Sequence, residues 1–262
     1  MLLAIDIGNT NIVLGIFEGE TLKVSWRLAT VQNRTADEFW VLVSRFFAER
    51  MVNLDEIEGV VLSSVVPALT GTVTKMLSRG LKQVPLSVDA TNAGLSMRYE
   101  NSAEVGADRL VNAVAALAAY GKPNTPEIVV DFGTATTFDA LSATGEYLGG
   151  VICPGVEISA DALFQRAAQL PRVDVCRPDE LIGRTTVASM QSGLFFGYVA
   201  MVEGIVERLV HELTGNGDVV TVATGGLAHE VATETDVIDH VDVNLTLTGL
   251  RLVWERNQGV RR

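Results

Sequence analysis

Cysteine, histidine and clustered positive charge are the scarce features of this chain. Its 262 residues include 2 cysteines and 3 histidines. Cys153 and Cys176 lack Cys-x-x-Cys spacing, so they read as reduced thiols rather than as a disulfide or metal framework. His211, His229 and His240 have no ligand-like spacing either. Lys and Arg number 20 against 32 Asp and Glu, a formal charge of −12, and the only basic cluster is Arg261-Arg262. Neutralising a phosphate backbone needs a basic stripe, so nonspecific nucleic-acid binding is disfavoured and no nucleic-acid partner is expected. No stretch approaches the roughly 18–20 apolar residues of a membrane span. The richest, Leu110 to Tyr120, contains Asn112. The start, Met1-Leu2-Leu3-Ala4-Ile5-Asp6, has no basic region or small-residue cleavage site. No membrane partner and a cytoplasmic location are therefore expected. Two common nucleotide devices are also missing: a Gly-x-x-x-x-Gly-Lys-Ser/Thr loop and a Gly-x-Gly-x-x-Gly after the first strand.

What is present is a folding composition, 48% hydrophobic with 20% charged residues. Apolar runs predict strands at Leu2–Ile5, Ile12–Phe17 and Thr21–Ala29, with Gly8-Asn9-Thr10-Asn11 as a turn. Thr35 and Glu38 form a capping-box pattern ahead of Phe39, Val43, Phe46 and Phe47, which predicts a helix. A buried strand follows at Gly59–Val65, then helices at Ala68–Leu81 and Glu104–Tyr120. Pro123 and Pro126 end that helix, and the pattern restarts. Strands are predicted at Ile128–Val130, through Leu141, at Tyr147–Ile152 and at Val219–Ala223. Helices are predicted near Glu157–Gln169, Thr186–Leu213 and Leu247–Asn257.

The restart repeats a motif. Asp6-x-Gly8-Asn9-Thr10 closes the first strand, and Asp131-x-Gly133-Thr134-Ala135 closes its counterpart about half a chain later. Turns of Gly, Asn and Thr at a strand end gather backbone N–H groups and small polar side chains into a phosphate cradle. The Asp before each turn can hold Mg²⁺ directly or through water. Two hairpin turns with locally bonded Asp and Asn would look similar. Thr224-Gly225-Gly226 follows a strand and would let a flat purine or ribose lie against backbone, or serve as a plain strand-to-helix turn.

Two α/β halves with two Asp-x-Gly corners and a late Gly-Gly resemble the sugar kinase, Hsp70 and actin superfamily. The details resemble type III pantothenate kinase. Asp6-Ile7-Gly8-Asn9-Thr10-Asn11 is similar to that family's first phosphate loop, and Asp131-Phe132-Gly133-Thr134-Ala135-Thr136-Thr137 to its second. Gly106-Ala107-Asp108-Arg109, Tyr99 upstream of it, and Gly183-Arg184-Thr185-Thr186 resemble its substrate-contacting segments. Ser102 stands where the pattern has a proline, and Thr185 where Asn or Asp is usual.

The resemblance implies an α/β fold of two duplicated actin-like (ribonuclease H-like) halves, residues 1–121 and 122–262, each a mixed sheet with flanking helices and a cleft between them. It implies ATP-dependent phosphorylation of pantothenate, with Asp108 as the catalytic base. ATP would be held by Asp6, Ile7, Gly8, Asn9, Thr10, Asn11, Ile12, Val13, Thr134, Gly225 and Gly226. Pantothenate would be held by Tyr99, Gly106, Ala107, Asp108, Arg109 and Thr186. Asp6 would hold Mg²⁺, and Asp131 a monovalent cation, K⁺ or NH₄⁺. The family pattern also implies a homodimer with the substrate site near the subunit interface. The alternatives are a superfamily kinase or phosphohydrolase for another small hydroxyl compound, and a nucleotide-binding regulatory protein without turnover.

Overall fold

The computed structural model describes residues 1–215 and 217–259, so Arg261-Arg262 lies outside the described residues. The chain divides into two compact units, Met1–Ala118 with Asn244–Arg262, and Ala119–Val243.

In the first unit, strands β1 (Leu2–Ile7), β2 (Asn11–Glu18) and β3 (Thr21–Ala29) form an antiparallel meander. Helix α1 (Ala36–Glu49), β4 (Gly59–Ser64), α2 (Pro67–Gly80), the two-residue strands β5 (Leu86–Ser87) and β6 (Ser96–Met97), and α3 (Ala107–Ala119) follow. The sheet order is β3-β2-β1-β4-β5, with β4 parallel to β1 and β5 parallel to β4. The α1 capping box forms as expected: the Thr35 N–H donates to Glu38 Oε2 at 2.7 Å, and the Glu38 N–H donates to Thr35 Oγ1 at 3.3 Å. Phe39, Val43 and Phe47, four residues apart on one helical stripe, enter a core with Leu3, Ile5, Val60 and Leu62 from one face of the sheet.

In the second unit, β7 (Glu127–Phe132), β8 (Ala135–Leu141) and β9 (Glu146–Pro154) form another antiparallel meander. Helices α4 (Val156–Arg166) and α5 (Thr186–Thr214), strand β10 (Val220–Gly225), the short α6 (Ala228–Ala232) and β11 (His240–Val241) complete it. Strand β10 is parallel to β7, and β11 to β10. The order β9-β8-β7-β10-β11 thus repeats the order of the first unit. Ile128, Val130 and Phe132 turn one face of β7 into a core with Phe195, Val199, Val202 and Val206 of α5.

The last helix, α7 (Leu245–Gly259), departs from the expected division. It groups with the first unit rather than with residues 122–243, because its side chains fit gaps left by glycine. A Cβ on Gly59 would lie 2.0 Å from the Trp254 ring, and one on Gly249 would lie 2.0 Å from the Val111 carbonyl oxygen. Thr246 Oγ1 also donates to Asn112 Oδ1 at 2.8 Å. Helix α3 begins at Ala107, later than expected, because Ser102–Glu104 forms a separate 3₁₀ turn. No helix among the described residues is long and apolar enough to cross a membrane.

Two acids are buried within the second unit. Asp139 accepts the Tyr147 hydroxyl at 2.6 Å. Glu127, 1% exposed, opens β7 between Val220 and Leu141, and its Oε2 accepts no hydrogen bond. Burial alone pushes its carboxyl up to about 7 from 4.5. The folded protein therefore retains a proton that the unfolded chain has released between those values, so stability falls as pH rises through that window. Complete ionisation costs about 3–4 kcal/mol, from roughly 1.4 kcal/mol per pH unit over that window. Glu127→Gln is expected to flatten this decline: urea midpoints of wild type and variant should diverge, in the variant's favour, from pH 5 to pH 8. A constant difference across that range would show that Glu127 does not retain its proton.

Candidate active site

The residues singled out from the sequence fall into two groups, one in each unit. In the first, the four residues of β1 before Asp6 are apolar and buried, so the carboxylate emerges at the end of a core strand. Its ladder partners are Val13 on β2 and Ser63 on β4. The turn beyond it is tied down: the Gly8 N–H donates to the Asn11 carbonyl at 2.9 Å, and Thr30 Oγ1 donates to the Gly8 carbonyl at 2.7 Å. Asn9 and Thr10 face solvent, whereas Ile7 and Ile12 point into the core. The isoleucines can therefore meet a ligand only through their backbone.

The same neighbourhood receives the start of α3. The Val65 N–H, just past β4, donates to the Ile7 carbonyl at 3.1 Å. Gly106 abuts Val65, since a Cβ on it would stand 3.3 Å from Val65 Cγ1. Asp6, Ser63 and Gly106–Arg109 are thereby gathered around the ends of β1 and β4. Asp108 lies in the first turn of α3, where the helix dipole favours an anion. Its Oδ1 accepts the Arg109 N–H at 2.8 Å. Burial raises its carboxyl above the ordinary aspartate range, opposed by that N–H and by the charge of Arg109. Arg109 itself is only 9% exposed. Tyr99 lies on the loop between β6 and α3 and is 37% exposed.

The second group is built on the same plan. Asp131 is the fifth residue of β7, as Asp6 is of β1, with Thr137 and Thr224 as ladder partners. The Gly226 N–H donates to the Phe132 carbonyl at 3.1 Å. Gly225 has φ +96°, and a Cβ there would lie 2.6 Å from that carbonyl oxygen, so this position accepts only glycine. The Gly155 N–H donates to the Thr134 carbonyl at 3.2 Å, and a Cβ on Gly155 would fall 2.4 Å from the same oxygen. Asp131, Thr134 and Gly225-Gly226 are therefore brought together, with Gly155 closing the cluster. Nearby, the Thr136 and Tyr198 hydroxyls share a buried hydrogen bond, and burial pushes Tyr198 up to about 12.

Thr186 stands apart from this cluster. It opens α5 twelve residues before Tyr198, about 18 Å along the helix axis at 1.5 Å per residue. Thr185 caps the helix, accepting the Ala188 N–H at 3.1 Å, while Thr186 is exposed. The preceding segment packs closely on α5, for Ser189 Oγ donates to the Gly183 carbonyl at 3.1 Å. Two residues at the corners were not singled out from the sequence. Gly155 was signalled by Pro154-Gly155 at a strand end, and Ser63 by a hydroxyl residue within the apolar run of β4.

Comparison with known proteins places this chain in a family. A family model described as type III pantothenate kinase matches residues 2–208. A type III pantothenate kinase of Moorella thermoacetica is 53% identical over 258 residues, covering 98% of this chain and 100% of that protein. One from Koribacter versatilis is 50% identical over 273 residues, covering 100% and 98%. Among solved structures, a Sinorhizobium meliloti protein described as a 2-dehydro-3-deoxygalactonokinase superposes with a TM-score of 0.64. At 13% identity, over 97% of this chain and 96% of that one, this likeness concerns the fold alone.

Gly106 offers a local test of the geometry. A Cβ there would stand 2.5 Å from Asp108 Oδ1, so alanine must push the carboxylate aside while leaving the backbone in place. If Asp108 has the catalytic role that the sequence resemblance implies, Gly106→Ala is expected to fold with nearly the wild-type melting temperature and to lose about 100-fold in turnover, the scale of a misplacement of about 1 Å. Wild-type turnover in the variant would show that the Asp108 position is not critical.

Proposed function

We infer the function from one premise: this chain belongs to the type III pantothenate kinase family. It phosphorylates the primary hydroxyl of pantothenate with ATP, giving 4′-phosphopantothenate, the first step toward coenzyme A. The observation that carries this reading is identity of about half the residues over nearly the whole chain.

Asp108 is assigned as the base that orients the pantothenate hydroxyl and accepts its proton. Phosphoryl transfer has a loose transition state, so positioning and charge neutralisation supply most of the rate. The raised affinity of Asp108 for a proton suits that role. The remaining contacts follow the two corners. Asp6 to Val13 would hold the ATP phosphates, with Thr134 at the second corner and Gly225-Gly226 against the adenosine. Tyr99, Gly106, Ala107, Arg109 and Thr186 would hold pantothenate. With a formal charge of −12, the chain repels both anionic substrates at long range, so the fork of Arg109 has to act locally.

The corners also fit cations. Their side chains offer oxygen alone: Asp6 with Ser63 beside it, and Asp131 with Thr137 and Thr224. Hard cations take this donor chemistry, Mg²⁺ at Asp6 and K⁺ or NH₄⁺ at Asp131. Bound there, they would neutralise phosphate charge.

The active form is assigned as a homodimer with its substrate site near the subunit interface. Ile158 and Phe164 on α4, Leu181 and Ile182 ahead of α5, and Val187 in its first turn are exposed and apolar, as surface covered by a second copy would be. Sedimentation should give twice the chain mass. Two free cysteines and a need for ATP suit the reducing cytoplasm.

The test is ADP release with pantothenate, compared with sugars and short hydroxy acids, in K⁺ and in Na⁺. Pantothenate alone should stimulate release, and K⁺ should support more of it. Asp108→Asn should lower turnover by roughly 10²- to 10⁴-fold with nucleotide binding retained. Stimulation only by another hydroxyl compound, or none by any, would overturn the reading.

A further inference from the structure

Strand β4 ends in two serines with opposite circumstances. Ser64 is occupied at the entry to α2: its Oγ accepts the Val66 N–H at 3.2 Å and the Thr70 hydroxyl at 2.8 Å. Ser63 is fully buried, and its hydroxyl makes no hydrogen bond. A hydroxyl in that condition forfeits hydration without compensation, and alanine would be cheaper there. Buried polar groups are nearly always paired, so an exception needs a cause.

Its position supplies one. Ser63 is in register with Asp6 across the parallel β1–β4 ladder. Residues in register on adjacent strands share a face about 4.8 Å apart, within reach of a hydrogen bond or one bridging water. Val60 and Leu62 turn to the opposite face, into the core. The second unit repeats the arrangement: Thr224, also buried, is in register with Asp131 across β7–β10. Each acidic corner therefore has a buried hydroxyl one strand away.

We propose that Ser63 is a positioning residue for the Asp6 corner, whose hydroxyl acquires its hydrogen bond only when Mg²⁺ and nucleotide are bound there. The proposal rests on the reading of Asp6 as part of the ATP site. In the ligand-free protein the hydroxyl is a local cost, and in the bound protein it helps to fix the Asp6 carboxylate.

The experiment compares wild type, Ser63→Ala and Ser63→Thr by thermal unfolding and by calorimetric titration with Mg²⁺ and AMP-PNP, a non-hydrolysable ATP analogue. Ser63→Ala should unfold roughly 2–4 °C higher than wild type without ligand, because an uncompensated hydroxyl has left the interior. Its affinity for Mg²⁺·AMP-PNP should fall about tenfold, the scale of a hydrogen bond to a charged group, so that its ligand-induced gain in melting temperature shrinks. KM for ATP should rise by more than kcat falls. Ser63→Thr, which restores the hydroxyl in the form found at Thr224, should recover the affinity. A lower unfolding temperature in ligand-free Ser63→Ala would make the hydroxyl structural and overturn the proposal. So would unchanged nucleotide affinity in a variant whose wild type binds. A wild type that does not bind Mg²⁺·AMP-PNP would overturn the ATP-site reading together with the proposal.

Discussion

A carboxylate at the end of a buried central strand is the constraint on which the rest depends. In β1 and again in β7 four buried residues precede an aspartate, and a second strand then leaves antiparallel from a turn of small residues. Setting an acid at the rim of a core costs hydration, and a chain selected for stability alone has no reason to do so twice in equivalent places. The neighbouring choices serve the same end. Gly106 leaves room for Asp108, Gly225 lets β10 approach the Phe132 carbonyl, and Gly155 does the same at Thr134. At each of these glycines a side chain would collide with atoms that form the corner.

The features most legible in the sequence have local causes. The Thr35–Glu38 box, the stripe of Phe39, Val43 and Phe47, and the Asp-x-Gly turns declare themselves within a few residues, and the structure bears out each of these elements. The repeated sheet order was foreshadowed by the recurrence of one motif half a chain later. What escaped was set at long range. Nothing in the pattern of Leu245–Gly259 says that this helix returns to the first unit. That follows from Gly59 admitting Trp254 and Gly249 resting on Val111. Strands β5, β6 and β11, two residues each, are too short to carry a period.

The polar residues divide the same way. Asp6 and Asp131 could be singled out because one turn motif recurs about half a chain apart, and Asp108 because its flanking residues resemble a known family, not because an acid at a helix end is rare. Ser63 lies within the apolar run of β4 and Glu127 at the head of that of β7, and neither attracted notice, yet both hold buried polar atoms without partners. Their significance lies in what stands across the ladder, which a single sequence does not display. Glu127 faces Val220 and Leu141 and stands as a stability liability, whereas Ser63 faces Asp6.

The proposed function assigns residues of each acidic corner to nucleotide binding. Amide hydrogen exchange with and without Mg²⁺·AMP-PNP tests this most directly. Binding should slow exchange at residues 6–13 and also at 131–136 and 224–228. Protection at only one corner, or confined to the groove lined by Val206, Asp218 and Asp239, would contradict it.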